Sequence, residues 1–299
     1  MSASEHIKQA DHLATYPALT DSIRKIDLSK SSVVITGGGQ GLGSSIASSF
    51  AECGTCRIIL VGRSAGPLKE TADTINARFS DVTVEACAAD ISSEDDVRGL
   101  FDRLGGRLDI LVNNAAYLPE LKTFMDLDLL DLKKGLLTNV YGTALVTQSF
   151  LRYRAAHHKP GSSPAIVLTV NTAGAFSIRY PCLSAYTSSK AALVRWSELA
   201  SVDVPEGVAR FISVHPGAVR TQMAAKFGLG DSFAFTEGRL VGDFLVWLTG
   251  DSAAFLNGRF VSAKWDIDGL VSRKEDIVSQ NLLRTSLQGF DDFAQQKLA

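Results

Sequence analysis

"SVVITGGGQGLGSSIASSF" occupies residues 32–50. Four of its first five residues are β-branched, as suits a short buried strand. Glycine then recurs through "TGGGQGLG" (36–43), and small and apolar residues follow at helical spacing. A strand, a glycine-rich turn and a helix in direct succession make a cradle for phosphate. Gly37, Gly41 and Gly43 let the chain turn tightly and come close to a pyrophosphate, with Leu42 inside the same turn. The helix opening there offers free N–H groups and the positive end of its dipole. A flexible surface turn is the competing reading, and the flanking strand and helix weigh against it.

The same alternation runs outward from this unit. "SVVIT" (32–36), "RIILV" (57–61), "VTVEACAA" (82–89), "LDILVNN" (108–114), "AIVLTV" (165–170), "RFISVH" (210–215) and "GRFVSA" (258–263) read as strands. They are Val- and Ile-rich and mostly do not alternate with polar residues, as expected of strands covered on both faces. Helical stretches are predicted at 42–53, 67–79, 93–104, 126–156, 184–203 and about 236–250. Strand–helix alternation predicts an α/β, doubly wound parallel sheet of about seven strands, Rossmann-like, with helices on both faces. Residues 1–30 read as an N-terminal arm, 31–265 as a single dinucleotide-binding catalytic domain, and 266–299 as a polar, partly helical extension.

Composition narrows the function. The chain has 299 residues, 45% of them hydrophobic, and a net charge of −2. There is no basic excess to suit nucleic acid. No apolar run is long enough for a membrane span, and "MSASEHIKQADH" has no apolar core of a secretory signal. The four cysteines fit a reducing compartment, and a cytoplasmic location is expected. "CGTC" (53–56) matches a redox dithiol spacing but precedes a strand rather than opening a helix. The five histidines show no zinc spacing, so no metal is expected.

Three further positions belong to the cofactor end. Where NAD-type sites place a carboxylate after the second strand, this chain has Gly62 and then Arg63. A guanidinium suits a 2′-phosphate, so NADP(H) is expected. Asp90, after the third strand, could accept from an adenine amino group, or else cap a helix as Ser92 or Ser93 could. Asn113, in "NNAA" (113–116), ends the fourth strand at the edge where open α/β sheets bind ligands.

The chemical end is "LSAYTSSKAAL" (183–193). Tyr186 and Lys190 lie four residues apart, on one face of a helix. A neighbouring ammonium favours the phenolate, which makes the pair a proton donor and acceptor. A half-buried tyrosine beside a solvated lysine is the ordinary alternative.

With these motifs in order, the chain resembles the classical short-chain dehydrogenase/reductase family from about Ser32 to Ala263. The carrying residues are "TGGGQGLG", Asp90, "NNAA", "NVYG" (139–142), "YTSSK" (186–190) and "HPGAVRT" (215–221). The arm at 11–30 and "SAKWDIDGL" (262–270) further resemble fungal, often secondary-metabolite, members. The resemblance implies that Tyr186 is the proton donor and that Lys190 holds the nicotinamide ribose. It gives Asn139 a water relay behind the lysine, and Val219 and Thr221 contact with the nicotinamide carboxamide. One element departs from the pattern. Where the family has a serine, "TVNTAGAF" (169–176) offers Thr172, 14 residues before Tyr186, or Asn171, 15 before it. Either can donate to an oxyanion, and Thr172 keeps the hydroxyl.

The expected function is NADP(H)-dependent hydride transfer to or from a carbonyl or alcohol carbon of a small hydrophobic molecule. The lost serine keeps open non-redox chemistry on the same scaffold, and a non-catalytic dinucleotide-binding protein is the third reading. The stretch 222–240 is expected to cover the site, with Met223, Phe227, Phe233 and Phe235 lending it apolar character. Related proteins pair the helices at 126–156 and 184–203 across subunits, so a homodimer or homotetramer is expected.

Overall fold

Along β1 (Ser32–Thr36), Val33 and Ile35 pack into one apolar layer and Val34 into the other. In β2 (Arg57–Gly62), Ile58 and Leu60 share the first layer, Ile59 and Val61 the second. Two covered faces explain why β1 and β2 are nearly unbroken apolar runs, whereas the edge strand 83–88 alternates covered and exposed positions. The computed structural model describes residues 11–159, 161–177, 180–230 and 232–287.

The remaining strands are β3 (Thr83–Ala88), β4 (Ile110–Asn113), β5 (Ala165–Val170), β6 (Ala209–His215) and β7 (Arg259–Ser262). All pair in parallel, in the order β3, β2, β1, β4, β5, β6, β7. Each expected strand is present within two residues of its expected bounds. The order reverses between β1 and β4, which opens a crevice at the strands' carboxyl ends.

Helices α1 (Pro17–Ile23), α2 (Leu42–Glu52) and α3 (Ala65–Arg78) lie on one face, and α4 (Glu94–Arg103) on the other. The helix expected over 126–156 is three pieces: α5 (Leu129–Leu136), a π turn (Leu137–Gly142) and α6 (Thr143–His157). Asp128 caps the first, its carboxylate accepting from Leu130 N–H. The π turn forms where Gly142 presses on the chain after β3; a Cβ there would meet Ile91 O at 2.9 Å. The extra residue lets Asn139 turn inward while the helix continues.

The chain then adds α7 (Gly174–Ser177), α8 (Ser184–Asp203), α9 (Gln222–Lys226), α10 (Gly238–Trp247), α11 (Ile267–Ser272) and α12 (Lys274–Ser279). α10 approaches α2 closely because Gly238 and Gly242 face Ser45 and Ser49; Cβ atoms there would lie 2.5 and 2.4 Å from the serine hydroxyls. The arm is not loose over its described part. Leu13 O accepts from Glu237 N–H, Thr15 donates to Asp243, and Tyr16 Oη donates to Trp265 O while accepting from Ile267 N–H. Residues 1–10 of the expected arm and 288–299 of the expected extension lie outside the described residues. No described helix is long and apolar enough to cross a membrane.

Candidate active site

A cleft of about 1280 Å³ runs along the carboxyl ends of the strands. Its floor on one side is the glycine loop. Gly37 has φ +66°, and its N–H donates to Val61 O at 2.7 Å. A Cβ on Gly43 would fall 2.0 Å from Gly37 O, so the loop closes only with glycine there. No side chain caps α2 at Gly41, which leaves the first N–H groups of the helix open. This cradle, with an uncapped helix behind it, fits a dinucleotide's phosphates.

Arg63, just past β2, and Asp90, past β3, both line the cleft. Asp90 is no helix cap: its Oδ1 accepts from Ser92 N–H and Oγ–H, while Ser93 caps α4. Burial works to raise the Asp90 carboxyl, but the Ser92 hydrogen bonds and the nearby Arg63 charge hold it below its ordinary value. Asn113 does not reach the cleft. It ends β4 pointing inward, and its Nδ2 donates to Thr147 Oγ1 at 2.9 Å. The next residue takes the wall: Asn114 Nδ2 donates to Thr36 O at 3.0 Å and Gly37 O at 3.2 Å, stapling β4 to the glycine loop. Val219 bridges to Thr236, and Thr221 caps α9 by accepting from Ala224 N–H at 3.1 Å. The Thr221 methyl approaches to 3.3 Å of where a Gly41 Cβ would stand, so this segment closes against the loop.

Tyr186 and Lys190 face the same cleft from α8. Lys190 Nζ donates to Val170 O at 3.2 Å and lies 5.9 Å from the Tyr186 ring centre. Tyr186 packs edge-on against Phe227, ring centres 5.8 Å apart, and its hydroxyl contacts Met223 Sδ at 3.6 Å. The phenol lies above its ordinary value rather than below it: burial pushes Tyr186 up to about 12. Burial likewise brings Lys190 down to about 8. At neutral pH the phenol holds its proton and the amine its charge, a donor's state.

The replaced serine position is well built. Asn171 is buried, and its Oδ1 accepts from Thr172 N–H at 2.9 Å, while its Nδ2 has no partner. Thr172 Oγ1 accepts from Gly174 N–H at 3.1 Å, leaving its own proton free. Both residues line the cleft. Asn139 lies behind it: Oδ1 accepts from Tyr117 N–H at 2.7 Å, and Nδ2 donates to Tyr117 O and Ser189 Oγ, each at 2.9 Å. The amide thus clamps the segment after β4 onto α8.

The cover over the cleft comprises α9 and the residues after it. Met223, Phe227 and Phe233 line the cleft as expected. Phe235 does not; its ring lies under the Arg220 guanidinium, 4.4 Å away. Residue 231 of this stretch lies outside the described residues.

Residues 31–231 match the short chain dehydrogenase family. The chain belongs to that family. The short chain dehydrogenase mpl6 of Monascus purpureus is 31% identical over 284 residues, covering 92% of this chain and 94% of that one. Among solved structures, a short chain dehydrogenase of Shigella flexneri complexed with NADP superposes with a TM-score of 0.70 at 22% identity, over 79% of this chain and 98% of that one. An NAD+-bound xylitol dehydrogenase superposes with 0.67 at 21% identity, over 79% and 98%. These two establish the shared fold.

Cleft residues of this dehydrogenase that the sequence did not single out include Asn114, His215, Thr236 and Lys264. "NN" offered two asparagines, and the strand's alternation decides between them. Burial, and then the Lys264 charge, push His215 down to about 4 from 6.5, against a smaller pull from Asp11. The unfolded chain therefore binds a proton between pH 6.5 and about 4 that the folded one refuses. Stability should fall as pH drops through that window and be fully present above it. His215→Gln should flatten this part of a plot of melting temperature against pH; an unchanged acid limb would contradict it.

"CGTC" behaves as packing. Burial pushes the Cys53 thiol up to about 11, and Cys56 Sγ donates to Ser31 O at 3.0 Å. A thiol that holds its proton is a poor redox nucleophile.

Proposed function

We propose that this short-chain dehydrogenase is an NADP(H)-dependent oxidoreductase acting on a carbonyl or alcohol carbon of a small hydrophobic molecule, as in fungal secondary metabolism. The observation that carries the reading is Tyr186 and Lys190, one helical turn apart, the tyrosine half-buried and the lysine buried, both lining the cleft that the glycine loop opens. Gly37, Gly41, Leu42 and Gly43 would hold the pyrophosphate, Arg63 a 2′-phosphate and Asp90 the adenine. Val219 and Thr221 would hold the carboxamide, and Lys190 the ribose. The bound nicotinamide supplies or takes the hydride.

The protein's own groups do the rest. Tyr186 gives its proton to the substrate oxygen in reduction and removes it in oxidation. Thr172 donates to that oxygen as negative charge develops there, with Asn171 fixing the Thr172 backbone. Asn139, whose side-chain amide is held by Tyr117 and Ser189, would keep a water relay behind Lys190. Met223, Phe227 and Phe233 exclude water.

Cofactor choice tests the reading directly. Arg63 is a cleft residue with no carboxylate in place of the family's ribose acceptor. NADPH should bind more tightly than NADH, and Arg63→Ala should weaken NADPH alone by about 1.5–3 kcal/mol, the scale of a charge-assisted bond. Equal affinity of the wild type for both cofactors would count against it.

We further propose a homo-oligomer. Leu129, Leu130 and Leu136 are exposed on α5, and Leu199 and Val202 on α8. Light scattering at micromolar concentration should give a dimer or tetramer; a monomer would refute it.

A further inference from the structure

Every charge along the cleft has a place. Arg63 and Asp90 follow β2 and β3, at the end proposed for the adenosine. Lys190 Nζ donates to Val170 O and is assigned to the ribose. Lys264 Nζ pairs with Asp11 at 2.7 Å. The His215 ring, pushed down to about 4, is neutral at neutral pH. No other Asp, Glu, Lys, Arg or His is among the described residues that line the cleft. A charged reactant would enter without a counter-charge, which is costly, so a neutral one is favoured.

Beyond the adenosine end the walls turn apolar and aromatic. Tyr180 and Pro181 lead into α8, after β5, and Phe227, Leu229 and Phe233 belong to the cover, after β6. β5 and β6 are neighbours, on the side of the sheet away from Arg63 and Asp90. Phe227 packs on the Tyr186 ring, so this wall begins at the proton donor. Two of its aromatic members are left uncovered: Tyr180 is 73% exposed and Phe233 46%, although both line the cleft. Large aromatic groups left open in a concave site mark a place for a ligand. Phe233 is held from behind, edge-on to Phe235 with ring centres 5.5 Å apart, and Phe235 lies under Arg220. Pro181 restricts the backbone at Tyr180. The cleft, about 1280 Å³, exceeds the roughly 300–1,000 Å³ of an ordinary single-ligand site. It has room for an extended second reactant beside a dinucleotide. Flat rings match such walls better than a flexible chain does, because they add stacked and edge-on contacts and lose little freedom on binding.

We infer that the substrate is a neutral ketone or alcohol carried on a flat system of two or more fused aromatic rings, which reaches from Tyr186 to Tyr180 and Phe233. This rests on the oxidoreductase reading above.

Methyl ketones with one reacting group and a growing ring system test it: acetophenone, 2-acetylnaphthalene and 2-acetylphenanthrene. Equilibrium binding is measured on protein saturated with NADP+ or NAD+, whichever binds more tightly, so that each ketone binds without turnover. 2-Acetylphenanthrene should bind about tenfold or more tighter than acetophenone. 2-Acetylnaphthalene should bind about fivefold tighter than 2-dodecanone, a flexible ketone of the same carbon number. Its carboxylated derivative, 6-acetyl-2-naphthoate, should bind about tenfold more weakly than 2-acetylnaphthalene itself. Tyr180→Leu and Phe233→Leu stay apolar and lose only the flat ring. Together they should cut the ring-over-chain preference to about twofold or less, with a melting curve showing that the variant is folded. Equal affinity for rings and chain, a carboxylate tolerated without loss, or a ring preference that survives the double substitution would overturn the inference. NADPH and NADH oxidation with the same ketones is followed alongside. Ring-selective binding with no oxidation of either cofactor would count against the oxidoreductase reading, whereas the binding series alone decides the shape and charge of the ligand.

Discussion

Tyr186→Phe is expected to lower turnover by roughly 10²–10⁴, the range for losing a positioned acid–base group. Cofactor affinity should be nearly unchanged. The reason lies in the packing. The half-buried ring packs edge-on against Phe227, and its hydroxyl contacts the weakly accepting sulfur of Met223. Phenylalanine fills the same space without an oxygen to desolvate, so the variant should melt no lower than the wild type. Lys190→Met should differ, damaging both turnover and cofactor binding. The protonated phenol, pushed up to about 12, also sets a direction: carbonyl reduction should run well at neutral pH, and alcohol oxidation should speed up as pH rises. A Tyr186→Phe enzyme with near-normal turnover would end this mechanism.

Thr172→Val is expected to cost about 10²–10³ in turnover, as removal of an oxyanion donor does. The hydroxyl already accepts from Gly174 N–H, which fixes the oxygen and leaves the proton to point elsewhere. Valine keeps the branched shape, so the loss isolates the hydroxyl. Asn171→Ala should have the smaller effect, through the Thr172 backbone that Asn171 steadies. The unpartnered Asn171 Nδ2 makes the comparison sharp. If Asn171→Ala carries the full loss and Thr172→Val is silent, the donor is the amide and the rest of the mechanism stands.

How much could be read from the chain depended on the range of the interaction. Runs such as "AIVLTV" mark strands because burial on both faces leaves no polar positions, and Gly43 marks the cradle because no other residue fits. Helix 126–156 was misjudged as continuous because the π turn is imposed from outside: Gly142 meets Ile91, and Asn139 meets Tyr117 and Ser189. Asn113 and Asn114 are indistinguishable as letters, and only the pleat separates the buried one from the cleft residue. Phe235 reads like its neighbour Phe233, yet Arg220 draws it aside. Tyr186 and Lys190 were legible as a pair; the upward shift of the phenol was not, because burial is a property of the assembled site. His215, Thr236 and Lys264 meet only through the tertiary fold, so no local pattern announces them.

The clasp between the arm and the segment after β7 has a consequence for the order of assembly. Tyr16 bonds Trp265 and Ile267 across 249 and 251 positions of chain, and Asp11 reaches Lys264 across 253. On a ribosome the first of these partners emerges long before the second. The glycine cradle and the strands beside it can form from shorter-range contacts, while the arm must wait with its apolar residues uncovered. Leu19 and Ile23, buried in the finished protein, are exposed for most of synthesis. The wall that holds Lys264 thus closes late, once two distant stretches of chain have met.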